Sequence, residues 1–88
     1  MTTNQNQPVN KINDGRITAA IWKNFGEKGA FYSVTITRSF KDEQGNYKDT
    51  DSFSGTDLLI VGRLAVRAYD AIVEMREADR AGLAGEAA

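Results

Sequence analysis

Residues 31–41 read FYSVTITRSFK, and their side chains alternate between apolar and polar. The apolar positions are Tyr32, Val34 and Ile36, and hydroxyl-bearing residues separate them. A period of two in a segment rich in β-branched and aromatic residues is typical of a strand with one buried face. We therefore predict a strand over residues 31–41, and the segments on either side of it determine how it pairs.

The segment before this strand, residues 16–24, has the same period of two. Ile17, Ala19 and Ile21 fall on one face, and the other face holds Arg16, Thr18, Ala20 and Trp22. Residues 25–30 include two glycines and predict a hairpin turn, because glycine tolerates the positive φ that tight hairpin connections need. The two strands are thus expected to pair antiparallel.

A polar turn and a third strand follow residues 31–41. Residues 42–46 (DEQGN) combine acidic, amide and glycine residues, which favour a turn. Residues 47–53 can form a third strand. The three strands would make an antiparallel meander.

The period changes to that of a helix at Leu58. Ser54 or Thr56 is expected to cap this helix, Asp57 suits the positive end of its dipole, and we predict an end near Gly82. The apolar residues of the predicted buried stripe recur every three or four positions: Leu58, Val61, Ala65, Ala68, Ile72 and Met75. The fold class is therefore α+β, an antiparallel three- to four-stranded β-meander followed by one long C-terminal amphipathic helix.

A chain of 88 residues has room for one domain. Residues 1–10 predict a flexible arm, residues 81–88 a flexible tail, and residues 11–80 the folded domain. Because so small a domain without cysteine has a thin core, we expect a homodimer that buries more apolar surface. Its interface is predicted on a second apolar flank of the helix, at Leu59, Ile60, Gly62, Leu64, Tyr69 and Val73. The alternative is that this flank is ordinary exposed surface.

The composition argues against several classes of protein. The chain has no histidine and no cysteine, which removes the imidazole base, the thiolate nucleophile and the common zinc ligands. We predict no catalytic residues, no metal, no cofactor and hence no enzyme. No apolar run has membrane-spanning length and the first residues lack a signal-peptide pattern, so we expect a soluble cytoplasmic protein, nucleoid-associated in a bacterium.

The net charge of −1 hides an uneven distribution. Residues 16–41 carry five basic residues and one acid, a local surplus of +4, whereas the helix is acidic. The predicted polar face of the strands holds Arg16, Thr18, Trp22, Ser33, Thr35, Thr37, Ser39, Lys41, Lys48, Thr50 and Ser52. Cations beside aromatic side chains such as Trp22, Phe25 and Phe40 are typical of surfaces that bind single-stranded nucleic acid. Ordinary solvent-facing strands also show rows of Ser and Thr, which is the alternative interpretation.

Residues 34–48, VTITRSFKDEQGNYK, together with the order of strands and helix, resemble the single-stranded-DNA-binding domain of the positive-cofactor-four transcription coactivator family. The resemblance implies a homodimer whose helices pack together and whose sheets contact unpaired strands. It also implies that Phe25 and Phe40 stack on bases and that Lys23 and Lys48 meet phosphates, with Arg38 and Lys41 beside them. The alternation of the first strand places Lys23 with the buried residues, and so favours Arg16, Thr18 and Trp22 as the first strand's contacts.

Together these patterns predict a protein that binds single-stranded DNA, or RNA, with little sequence preference, in replication, recombination or transcription. The alternative is a small protein-interaction or regulatory module that uses the apolar helix flank or a sheet edge.

Overall fold

Four antiparallel strands and one long helix make up the fold in the computed structural model, which describes residues 7–87 and, for side chains, residues 7–81. The strands lie in the sheet in the order in which they follow one another in the chain. The elements are β1 (Asn10–Asp14), β2 (Ile17–Gly26), β3 (Gly29–Lys41), β4 (Tyr47–Thr50), a 3₁₀ turn (Gly55–Asp57) and α1 (Leu58–Ala87). The predicted α+β meander with a C-terminal helix is confirmed.

The ends of several elements differ from the prediction. Residues 10–14 form a strand that pairs with β2, so β1 begins at the last residue of the predicted arm. The first hairpin turn contains only Glu27 and Lys28, because β2 and β3 stay paired as far as Gly26 and Gly29. The third predicted strand ends at Thr50, and α1 continues past Gly82 to Ala87. Residues 1–6 of the predicted arm and Ala88 of the predicted tail lie outside the described residues.

The helix begins at a capped turn. The Ser54 backbone N–H and hydroxyl both donate to Asp57 Oδ2, at 3.1 and 3.0 Å. These bonds stabilise the carboxylate, so the pKa of Asp57 is lowered, first by the Ser54 backbone N–H. Of the two caps that the sequence allows, Ser54 is the N-cap residue, and it caps the 3₁₀ turn (Gly55–Asp57) that leads into α1.

The core lies between β2 and the first half of α1. Ile17, Ala19 and Ile21 of β2 are buried against Leu64 and Ala68 of the helix, which confirms the predicted alternation of the first strand. The stripe predicted for the helix is partly wrong: Leu58 and Ala65 are exposed, and Leu64 is fully buried. The helix has apolar residues over more than half of its circumference, and spacing alone does not say which part meets the sheet.

Candidate nucleic-acid interface

One face of the sheet is covered by α1, and we call the other the open face. Residues that lie opposite one another in antiparallel strands point to the same face, so the strand register assigns each side chain. Because Ile17, Ala19 and Ile21 face the helix, the open face consists of Lys11, Asn13, Thr18, Ala20, Trp22, Asn24, Phe31, Ser33, Thr35, Thr37, Ser39, Lys41, Tyr47 and Asp49.

Three aromatic side chains lie on the open face. Trp22 is half-buried, and its Nε1 donates to Thr35 Oγ1 at 2.9 Å, which orients the indole ring across β2 and β3. Phe31 and Tyr47 are 56% and 76% exposed. Trp22 lies opposite Ser33, and Tyr47 opposite Lys41, eight residues further along β3, so the two positions are about 26 Å apart along the strand direction. The open face thus presents aromatic rings at both ends.

Polar side chains between these rings bond to one another across the strands. Thr18 donates to Asn13 at 2.8 Å, and the Asn24 amide donates to the Ser33 hydroxyl at 3.0 Å. Ser39 donates to Asp49 at 2.9 Å. These bonds hold the open face in a fixed arrangement while leaving further donors and acceptors at the surface.

The cations of the open face carry no ion pair within the described part of the chain. Lys11 and Lys41 lie on the face, and Arg16 lies at its margin, where its backbone C=O accepts from the Ser39 N–H at 2.9 Å. None of the three forms a salt bridge to a carboxylate of residues 7–81, and all three are exposed. Lys41 Nζ lies 5.6 Å from the centroid of the Tyr47 ring. Their charges are therefore available to a ligand.

Five of the nine residues predicted to contact nucleic acid lie on the opposite side of the sheet. The register aligns Lys23 with Tyr32, Arg38 with Ile17 and Lys48 with Phe40, and this places all of them, with Phe25, on the side of the helix. The structure therefore does not bring together Lys23, Phe25, Arg38, Phe40 and Lys48 with Arg16, Thr18, Trp22 and Lys41 on one face.

The cations on the helix side are paired with carboxylates. Lys23 Nζ lies 3.3 Å from Asp79 Oδ2, Arg38 Nε lies 3.4 Å from Asp57 Oδ2, and Lys48 Nζ lies 3.5 Å from Asp42 Oδ2. A cation that already has a carboxylate partner gains less from a phosphate, because the existing pair must first be broken. The helix side is thus electrostatically more neutral than the open face.

A three-residue cluster joins the second half of α1 to the sheet on this side. The Tyr32 hydroxyl donates to Asp79 Oδ2 at 2.6 Å, and Lys23 Nζ donates to Asp79 Oδ1 at 3.4 Å. The Tyr32 hydrogen bond, followed by the one from Lys23, lowers the pKa of Asp79. The hydrogen bond to Asp79 raises the pKa of Lys23. Lys23 therefore has a structural partner in the fold.

Three cationic or aromatic residues of the open face were missed by sequence reasoning: Lys11, Phe31 and Tyr47. Phe31 could have been found, because it shares the period of Ser33 and Thr35. Lys11 and Tyr47 could be assigned to this face only once the pairing of β1 and β4 was known. The predicted placement of Lys48 and Thr50 on this face was wrong, because the pairing of β4 puts both on the helix side.

The helix surface directed away from the sheet is also apolar. We call Leu59, Gly62, Val66, Tyr69 and Val73 the outer seam; they recur at alternating spacings of three and four residues. Leu59, Val66 and Tyr69 are 86%, 61% and 66% exposed. Of the predicted dimer-interface residues, Ile60 and Leu64 pack against the core instead, and Leu59, Gly62, Tyr69 and Val73 lie on this seam.

Searches of the chain against protein-family models, curated proteins and solved structures found no match. Within the described part of the chain, no cluster of acidic side chains could hold a metal ion. No helix over residues 7–87 is both long and apolar enough to span a membrane.

Proposed function

We propose that the protein binds single-stranded DNA through the open face, with little dependence on base sequence. The observation that carries this proposal is that Lys11, Arg16 and Lys41, all without a carboxylate partner among residues 7–81, surround exposed aromatic rings on the face that α1 leaves uncovered. Cations neutralise phosphates of any sequence, and an aromatic ring can stack on any base.

A single strand suits this surface better than a duplex. Stacking on Trp22, Phe31 or Tyr47 requires unpaired bases, because the faces of paired bases are covered by their neighbours. Direct reading of a duplex commonly uses a helix in the major groove, and α1 packs against the opposite face of the sheet.

We further propose that two copies associate through the outer seam. The apolar residues of the seam have heptad spacing, and the net charge changes sign along α1: Arg63, which also pairs with Asp14, and Arg67 are followed by four acids (Asp70, Glu74, Glu77 and Asp79) and two further arginines (Arg76 and Arg80). In an antiparallel pair the net basic part of one helix lies beside the net acidic part of the other. Burial of the seam would also add to a core that is thin in one copy.

The sharpest test of the open face compares two phenylalanines. Phe31 and Phe25 are both near the first hairpin and are 56% and 57% exposed, but Phe31 lies on the open face and Phe25 on the helix side. Phe31→Ala is expected to weaken binding of a labelled single-stranded oligonucleotide by about 5- to 150-fold, the usual range for one lost stacking contact. Phe25→Ala should leave the affinity unchanged.

Fluorescence anisotropy at low salt measures both variants, with a duplex of the same sequence for comparison. A loss confined to Phe25→Ala would move the interface to the helix side, as the family resemblance implies. Equal binding of single strand and duplex would remove the stacking model. A chain that binds no oligonucleotide and elutes as a single copy would favour a protein-interaction module whose partner covers the outer seam.

A further inference from the structure

The third strand is longer than the strand beside it. β3 has 13 residues, but β4 pairs only with Arg38–Lys41, so nine residues of β3, 29–37, form an edge of the sheet. This edge lies between the tip of the first hairpin and the start of the β4 pairing.

Two hydrogen bonds show which backbone groups point outward from this edge. The Ser39 N–H donates to the Arg16 C=O at 2.9 Å, so odd-numbered residues of β3 bond to β2. The Asp42 N–H donates to the Asn46 C=O at 2.8 Å, so even-numbered residues point toward the β4 side. Because the direction alternates along a strand, the N–H and C=O of Ala30, Tyr32, Val34 and Ile36 point outward. Within residues 7–87 these groups have no strand partner.

The other two edges of the sheet are protected from pairing, and this one is not. β1 carries Lys11 and Asp14 and follows Pro8, and β4 is only four residues long with Lys48 and Asp49 in it. Charges, proline and short length are the usual means of keeping an edge strand from joining another. Residues 29–37, GAFYSVTIT, contain no charged residue and no proline. A long uncharged edge of this kind is expected to be covered.

We infer that this edge pairs antiparallel with the same edge of a second copy, in a register centred on Ser33. That register places Tyr32 beside Val34 of the second copy, Phe31 beside its Thr35, and the two Ser33 residues beside each other. Aromatic with β-branched residues, and hydroxyl with hydroxyl, are the cross-strand pairs that stabilise sheets. In this register all four residues with outward-pointing backbone groups form hydrogen bonds to the second copy. The tip of the first hairpin in one copy ends where the β4 pairing of the second copy begins.

A second copy fits this edge because the edge is complementary to itself. A two-fold contact places the residue at the centre of the edge opposite its own symmetry mate, so a charge there would meet a like charge, and residues 30–36 carry none. The helix lies mainly over β1 and β2, which leaves Val34 and Ile36 half-buried beside it. The paired strand would cover these side chains.

The contact would join two four-stranded sheets into one of eight strands, with both open faces on the same side. If the open face binds nucleic acid, this contact makes the binding surface twice as wide, and that consequence rests on the proposed function. The contact itself does not depend on the proposed function. It is also distinct from the outer seam, which lies on the far side of α1.

The test is the number of copies per particle without nucleic acid, measured by light scattering after size exclusion. Val66→Glu serves as the background, because it places a charge in the outer seam and leaves the edge as the remaining contact. In this background we expect two copies. Adding Val34→Pro, which removes an outward N–H that no strand within residues 7–87 uses, should give one copy. Asn13→Pro removes the equivalent outward N–H from β1 and should leave two copies.

Ser33→Lys provides a second variant that keeps the backbone intact. It places two ammonium groups opposite each other at the two-fold axis and should also give one copy. A Val66→Glu protein with one copy, or a mass that neither Val34→Pro nor Ser33→Lys lowers, would overturn the inference.

Amide hydrogen exchange of the unmodified protein gives an independent result. The Tyr32, Val34 and Ile36 amides should exchange slowly at high protein concentration and quickly on dilution, whereas the Asn13 amide should be fast at both. Fast exchange at all concentrations would contradict the pairing. If these tests succeed and oligonucleotide binding is absent, the contact stands and the proposed function falls.

Discussion

The salt dependence of binding discriminates between the two faces of the sheet. On a single strand, each phosphate neutralised by a cation contributes about −0.7 to the slope of log Kobs against log salt concentration. Lys11, Arg16 and Lys41 would give a slope of about −2.1 for an oligonucleotide that occupies one open face. Between 50 and 200 mM salt the affinity should fall about 18-fold.

The full set of contact residues predicted from the sequence would give a different number. Arg16, Lys23, Arg38, Lys41 and Lys48 are five cations, and contact with all of them would give a slope of about −3.5 and a fall of about 130-fold over the same range. Three of these five are already paired with carboxylates, which is why we expect the smaller slope.

The assay is a titration of a labelled oligonucleotide by anisotropy at four or more salt concentrations. Lys41→Ala should reduce the steepness of the slope by about 0.7. Lys23→Ala is the matched control, because it removes a lysine of the same sheet that is bound to Asp79, and it should leave the slope unchanged. A slope that changes with Lys23→Ala and not with Lys41→Ala would refute the assignment of the open face.

Three further changes test the fold and its associations. Leu64→Ala should lower the free energy of unfolding by about 2–5 kcal/mol in urea titrations, because Leu64 is fully buried. Leu59 is 86% exposed, so Leu59→Ala should have a small effect in single copies. Equal losses of unfolding free energy in the two variants would contradict the placement of the helix. Gly62→Ala should raise the stability of single copies by about 0.5–1 kcal/mol, since a Cβ there meets open space. The same change should weaken association if the two helix backbones lie close together at the seam. Tighter association in sedimentation would contradict such close contact. Asp79→Asn should remove a stabilisation that is present above the ordinary aspartate pKa of 3.8 and is lost as the pH falls through the lowered folded-state pKa of Asp79. In chemical denaturation, the free energies of unfolding of wild type and variant should therefore converge below that pH range. A constant difference at all pH values would exclude the Asp79 charge as the cause.

Much of the fold could be predicted because its signals are local. Ile17, Ala19 and Ile21 are inward because a strand has a period of two, and this period needs no knowledge of the partner strand. Ser54 and Asp57 are within three residues of each other, so the cap could also be expected from spacing. Trp22 was assigned to the open face on the same basis.

The candidate site was predicted less well because it spans several strands. Lys48 was expected on the open face, but the second hairpin places it opposite Phe40, on the helix side. The first hairpin turns through two residues, whereas Asp42 and Asn46 close a three-residue loop in which Gly45 has a φ of 86°. One additional loop residue reverses the face of every residue that follows in the strand.

The sequence by itself determined the strands, the helix and the alternation within each strand, because these depend on neighbours a few residues apart. Only the tertiary structure decided which apolar side of α1 meets the sheet, how β1 and β4 align with the central strands, and which cations are paired with carboxylates. These relations join residues such as Lys23 and Asp79, 56 positions apart, through packing and register that no local pattern encodes. Of the five predicted contact residues on the helix side, only Lys48 needed the strand register, because Lys23, Phe25, Arg38 and Phe40 share the period of the buried residues in their own strands. Lys11 and Tyr47 joined the open face through the pairing of β1 and β4.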